Sequence, residues 1–323
     1  MNPEYSIPTS NLPGYTFTQI SNSLIEVKYE FPSNTTENNV DFTYNRDSNS
    51  IYFALKGQDY PILCGILCHP VNTVSTSYSE SKYIITLEVD SNEENTWNLL
   101  VNAPSKKGID PKSVFLLGAD ANNNRKYDEA FELISASASE GYTPAMEILA
   151  DIYSSEESPY KEHYNIDNSI DTLNKLFEST EDPNHGMRLA SIYRTLKRPE
   201  EAKDVLTKCA DKSKDAKLML AFMLSPLTGE LDEPEKAVEL LRDLSNEHVP
   251  EATSVLINHL EKGVGATSDE KEIKKLRTEL RDIQRKNLLS KYKNVFIGLA
   301  IAAAACATIA GIKLIKKRRN NNK

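Results

Sequence analysis

The chain has 323 residues, a net charge of −9, 39% hydrophobic and 26% charged residues, which excludes a disordered tail-like protein and allows two domains of ordinary size. The last eleven residues carry six basic side chains and no acid, which leaves residues 1–312 at −15. That acidic body argues against nucleic acid as a partner and would attract basic protein segments over about a Debye length.

Residues 1–13 are polar with three prolines and are expected to form a flexible N-terminus. Short strand patterns fill residues 14–103. Ile25, Val27, Tyr29 and Phe31 alternate onto one face, and Val40–Tyr44 alternates again. Ser48-Asn49-Ser50 is turn chemistry ahead of Ile51–Leu55. Tyr60 to Leu67 is a continuous apolar run, as expected of a strand covered on both faces. Lys82–Val89 and Trp97–Val101 complete the set. Six or seven such strands predict an antiparallel β-sandwich. Cys64, Cys68, Cys209 and Cys306 make no disulfide framework, which fits a reducing compartment. Cys64-x3-Cys68-His69 has a metal-like spacing, but zinc takes four ligands and no second pair exists, so packed strand cysteines are expected. Trp97, the only tryptophan, is expected in the core.

The order of these strands resembles the CS domain, the co-chaperone sandwich related to small heat-shock proteins. Leu24–Pro32, Asn39–Gly57, Lys82–Val89, and Trp97 followed by Leu99 and Leu100 carry the resemblance. The tryptophan usual at the start of that domain is absent, with Tyr15 or Phe17 in its place. The resemblance implies a domain that holds other proteins without ATP.

Residues 104–121, with Pro104, Gly108 and Lys106-Lys107, read as a linker. From 122 to 265 the period becomes 3.6 and helices arrive in repeated pairs. The pairs are Lys126–Ile134 with Ala145–Tyr153, Asp167–Leu173 with His185–Tyr193, Pro199–Leu206 with Ala216–Ala221, and Pro234–Leu241 with Ala252–Leu256. Ala150, Ala190, Ala221 and Ile257 occupy equivalent positions where two helices would cross closely. This pattern resembles the tetratricopeptide class and its shorter-motif relatives, an all-α solenoid with a groove for peptide segments. The alanines, leucines, Tyr153 and Tyr193 are expected in the core. Lys126, Asn174 and Arg198 are weak candidates for a carboxylate clamp. The five histidines show neither metal nor catalytic spacing.

Residues 266–293 read as a charged capping helix with an apolar stripe of Ile273, Leu276, Leu280, Ile283 and Leu288; a coiled-coil contact is the alternative. Residues 294–315 follow as the expected single transmembrane helix, a tail anchor. Its membrane-anchor residues are Val295, Phe296, Ile297, Gly298, Leu299, Ala302, Ala307, Gly311, Ile312, Leu314 and Ile315, with Lys313 snorkelling. Gly298 and Ala302, or Ala307 and Gly311, are small residues four apart that would admit another helix, although alanine abundance alone produces such pairs. A buried core helix is the alternative, disfavoured by the length of the apolar run and the few residues after it. Lys316, Lys317, Arg318 and Arg319 form a basic targeting tail within 316–323. A short, alanine-rich span with basic flanks favours the outer membrane of a mitochondrion or hydrogenosome over the endoplasmic reticulum, with the N-terminus in the cytosol.

No phosphate-binding glycine loop, nucleophile motif or paired acid stands out, so a non-enzymatic binding protein without cofactor or metal is expected. The combined architecture resembles the tail-anchored preprotein receptors of outer-membrane translocases, and most of all the divergent hydrogenosomal receptors. That resemblance implies precursor proteins, the translocase pore and its small subunits as partners, and protein import as the function. A membrane-tethered co-chaperone that recruits heat-shock chaperones and an organelle-division or tethering adaptor are the other readings.

Overall fold

The computed structural model describes residues 14–31, 37–58, 60–79, 81–90 and 96–289. The chain divides into two compact units, Met1–Ile192 and Tyr193–Lys323.

The first unit opens with eight strands: β1 Thr16–Ser21, β2 Leu24–Glu30, β3 Val40–Asn45, β4 Ser50–Leu55, β5 Leu63–Leu67, β6 Thr73–Ser79, β7 Lys82–Glu88 and β8 Val101–Ala103. They form two antiparallel four-stranded sheets, ordered β1-β2-β7-β6 and β3-β4-β5-β8. The strands β2, β4 and β7, read at Ile25–Phe31, Ile51–Leu55 and Lys82–Val89, send Ile25, Val27, Tyr29, Ile51, Phe53, Tyr83, Ile85 and Leu87 into one shared core. Trp97 joins that core at 5% exposure. Around Phe53 the rings interlock: Tyr29 lies edge-on at 5.4 Å and Tyr83 stacks at 5.1 Å.

β1 and β6 were not evident in the sequence. Both are edge strands, rich in Ser and Thr and largely exposed, so neither needs an apolar alternation. The stretch 97–101 is strand only at its end, where β8 pairs with β5.

β5 is covered on both sides, by the core at Leu63 and Leu67 and by the following segment at Cys64. Gly65 in β5 has φ +150°, and a Cβ there would lie 2.3 Å from Val101 Cγ1.

The stretch expected as a linker holds a helix, α1 (Pro111–Asn123). Asp110 is the cause. Its Oδ1 accepts from Ser113 N–H at 2.9 Å, and its Oδ2 accepts from the Ser113 hydroxyl at 2.7 Å and from Cys64 N–H at 2.9 Å. One fully buried carboxylate therefore caps α1 and ties it to β5. Pro111 at the first helical position loses no hydrogen bond.

Helices α2 (Tyr127–Ser139), α3 (Thr143–Ser154), α4 (Ile166–Thr180) and α5 (Pro183–Thr195) follow, and the unit boundary falls within α5. The second unit continues with α6 (Pro199–Cys209), α7 (Lys214–Leu224), α8 (Pro234–Asn246), α9 (Pro250–Lys262) and α10 (residues 270–289).

The repeat shows in the turns as well as in the helices. Arg125, Gly141, Lys197 and His248 are each the middle residue of a three-residue connection, with φ between 59° and 78°. The residue after each donates to a carbonyl five residues back: Lys126 to Ala121, Tyr142 to Ser137, Arg198 to Tyr193 and Val249 to Leu244. This is the same left-handed helix stop used four times, and it reverses the chain within three residues.

Small residues are buried at the repeated positions of the helices. Ala130, Ala150, Ala190, Ala202, Ala221 and Ala237 are fully buried, and Ile257 is 8% exposed. In the second unit Leu241, Leu244, Leu256 and Leu260 pack with Ile273 and Leu276 of α10, with Leu280 at the edge. Leu288, also expected on that stripe, is 55% exposed.

The expected fold class is corrected in one respect. No helix among the described residues is long and apolar enough to cross a membrane. The last described helix, α10, is charged along most of its length, with a narrow apolar stripe turned to its own unit. The fold described is a β region followed by helical repeats, without a transmembrane helix. The residues expected as anchor and basic tail, 294–315 and 316–323, lie outside the described residues.

Candidate functional site

Most helix connections in this chain are two to four residues long. The α3–α4 connection, residues 155–165, is longer and folds back over the start of α2. Tyr160 anchors it: its hydroxyl donates to Asn122 Oδ1 at 2.7 Å and its ring meets Tyr127 edge-on at 5.5 Å. Burial raises the Tyr160 hydroxyl pKa, with a smaller contribution from Tyr127. A short turn, Lys161–His163, then lays the His163 ring flat on Phe131, with centroids 3.5 Å apart and planes 7° apart. Tyr153 approaches the other part of Phe131 edge-on at 6.2 Å.

The result is an open cleft of about 530 Å³ between the α1–α2 turn and the α3–α4 connection. Arg125, Lys126 and Lys161 line it, as do Asp128, Glu129 and Glu162, all exposed; Tyr127 and His163 are half-buried in its floor. Lys126 holds Glu129 at 3.1 Å. Exposed ion pairs of this kind are weak and exchange readily for a ligand's charges. Flat aromatic surface beside charges of both signs suits a polypeptide segment.

Among the described residues no group of three or more His, Cys, Asp or Glu side chains could hold a metal ion. The Cys64 thiol is buried and contacts Gly108 O at 3.4 Å; burial raises its pKa, and raises that of Cys68 to about 11. His69 instead meets the Trp97 ring edge-on at 5.1 Å. The buried histidines are tied to neighbouring helices: His185 bonds Glu147 and Thr180, each at 2.9 Å, and His259 bonds Ser225 at 2.7 Å and Val264 O at 2.9 Å.

Of the clamp candidates, Lys126 lines the cleft, whereas Asn174 sits mid-α4 outside its lining. Arg198 belongs to the second unit, where it stacks over Tyr193 at 4.8 Å and bonds Glu201. Tyr160 and His163 escaped sequence reading because they lie in a connection without periodicity. The signal was the length of that connection, which also gives the 40-residue spacing between Ala150 and Ala190.

No family model and no curated protein matches the chain. A Sel1 repeat protein from Oxalobacter formigenes is similar in structure, with 21% identity over 54% of this chain and 52% of that one, and a TM-score of 0.46. The antigen c5321 of uropathogenic Escherichia coli, which displays an SLR fold, gives 20% identity, 55% and 42% coverage, and a TM-score of 0.37. The MamA protein gives 16% identity, 55% and 93% coverage, and a TM-score of 0.39. The chain spans about half the length of the first two. The helix pairs described above form a helical repeat on their own geometry; likenesses this distant say nothing of function.

Proposed function

We propose that this chain is a non-enzymatic protein-binding scaffold, and that the cleft beside Phe131 and His163 is one of its contact sites. The observation that carries this is the aromatic floor, Tyr127 and His163, left half-open beside exposed charges of both signs. Helical repeats present such surfaces to peptide segments.

The finer reading is a receptor that holds precursor proteins and passes them to an outer-membrane translocase of a mitochondrion-related organelle. Two things support it. The order of a sandwich followed by helical repeats is that of the receptors the sequence resembles. The charge of −15 over residues 1–312 would draw in basic targeting segments.

The test is fluorescence anisotropy of the full-length chain with a labelled basic amphipathic targeting peptide and a scrambled, charge-neutral control. The basic peptide is expected to bind more tightly, with affinity falling as salt rises. Asp128→Lys combined with Glu162→Lys is expected to weaken it about tenfold, because two local attractions become repulsions. Equal binding of both peptides would remove the precursor reading. Unchanged binding by the double variant would move the contact away from the cleft.

A further inference from the structure

A two-layer sandwich has four edge strands, and here three of them are obstructed. β1 carries a register shift between Gln19 and Ser21, and Lys112 bonds the Tyr15 carbonyl just before the strand begins. β3 has the exposed Asp41 within it, and Lys107 reaches Thr43 at 3.4 Å. β8 is three residues long and shifts register against β5. Short, bulged or charged edges cannot accept another strand.

β6 has none of these features. It reads Thr-Val-Ser-Thr-Ser-Tyr-Ser over Thr73–Ser79, without a charge, a proline or a bulge, and it keeps register with β7 across all seven residues. It ends its sheet, and among the described residues no strand covers its outer side. A regular exposed edge leaves alternate N–H and C=O groups free to pair.

The strand is also chemically symmetric about Thr76. Ser75 mirrors Ser77, Val74 mirrors Tyr78, and Thr73 mirrors Ser79. A two-fold axis through Thr76 would set Val74 opposite the second copy's Tyr78 and each Ser75 opposite a Ser77. Val74, Thr76 and Tyr78 lie opposite Leu87, Ile85 and Tyr83, which are buried, so this row continues the core side of the sheet outward. Tyr78 is 36% exposed there, with Phe31 against its ring at 5.4 Å. An aromatic facing a β-branched residue is a favourable cross-strand pair.

Charge selects the direction. Glu88 lies beside Thr73 at one end of the β6–β7 pair, and Lys82 lies beside Ser79 at the other. Antiparallel association brings the acidic end of one copy to the basic end of the next, whereas parallel association matches like with like. Lys82 already bridges Glu30 at 3.2 Å, so this preference orients the contact more than it strengthens it.

We propose that two copies of this chain associate through antiparallel β6–β6 pairing centred on Thr76, which joins two four-stranded sheets into one. An isologous contact of this kind closes on itself and leaves no free edge for further growth. The assembly would carry two sets of helical repeats.

The test is co-expression of two differently tagged full-length copies and recovery of one through the other's tag. The native pair is expected to be recovered together. Thr76→Lys in both copies, or Thr76→Glu in both, places like charges on the axis and is expected to cut recovery by at least about tenfold. Thr76→Lys in one copy with Thr76→Glu in the other is expected to restore it to within about twofold. This restoration also shows that the substituted chains fold. Failure of the native pair to associate, equal recovery of the Lys/Lys pair, or a Lys/Glu pair no better than Lys/Lys would each overturn the proposal.

Discussion

The sandwich is held by large side chains around one centre, and the helical pairs by small side chains repeated along the chain. Tyr29 and Tyr83 each pack on the Phe53 ring, at 5.4 and 5.1 Å, and all three are nearly or fully buried. The helices instead bury a methyl group at Ala130, Ala150, Ala202, Ala221 and Ala237, each fully buried, where the repeat pattern places close helix packing. The first kind of packing fails when atoms are removed and the second when atoms are added.

The largest expected effect is therefore a deletion in the sandwich. Phe53→Ala should cost about 3–5 kcal/mol, because it removes a ring from between two others in a core that cannot close over the gap. Asp110→Ala should cost about 2–4 kcal/mol, because it leaves Cys64 N–H, Ser113 N–H and the Ser113 hydroxyl without their acceptor. Both are read as the shift in urea midpoint of the first unit's transition. A loss below about 1 kcal/mol for Phe53→Ala would mean that the core is plastic.

The converse change belongs to the helices. Ala221→Leu should cost about 1–3 kcal/mol by forcing α7 off the helices it touches, while Ala221→Gly should cost about 1 kcal/mol through helix propensity alone. If the larger side chain were the better tolerated, the crossing at Ala221 would not be close, and the comparison would lose its basis. Circular dichroism melts of the two variants decide this.

That contrast also explains what could be read in advance. Residues that must fill a shared core announce themselves, and so β2, β4 and β7 and the alanine-leucine pattern of α2 to α9 were legible. β1 and β6 were not, because edge strands bury one side weakly and can be written in serine and threonine. α1 was hidden behind Pro104, Lys106, Lys107 and Gly108, although Asp110-Pro111 is a helix start. The cleft was not legible at all. Its floor depends on His163 lying on Phe131, thirty-two residues away, through a connection with no period of its own. The residues expected to matter most, 295–319, lie outside the described residues.

The pH-dependent effects separate two carboxylates that answer acid in opposite directions. Asp110 is fully buried, and burial raises its pKa to about 6 against the hydrogen bonds that lower it. The folded state then holds its proton more tightly than the unfolded chain, so its contribution grows as pH falls from about 6 towards the ordinary value of 3.8. Glu233 lies on the helical side, where Lys203 and Lys236 each donate to it at 2.5 Å and lower its pKa, Lys203 more strongly. Its contribution is present above the ordinary value of 4.5 and is lost as pH falls through the depressed folded value. Asp110→Asn should remove a gain on acidification on the order of 1–3 kcal/mol. Glu233→Gln should remove an acid-induced loss within about 1 kcal/mol, and less at high salt, because the carboxylate and its lysines stay partly open to solvent. Melting of each variant against the native chain from about pH 3 to pH 7 gives two difference curves of opposite slope. Parallel curves would mean that Asp110 is ionised through that range, held by its three donors and the nearby Lys112 ammonium more strongly than burial opposes it.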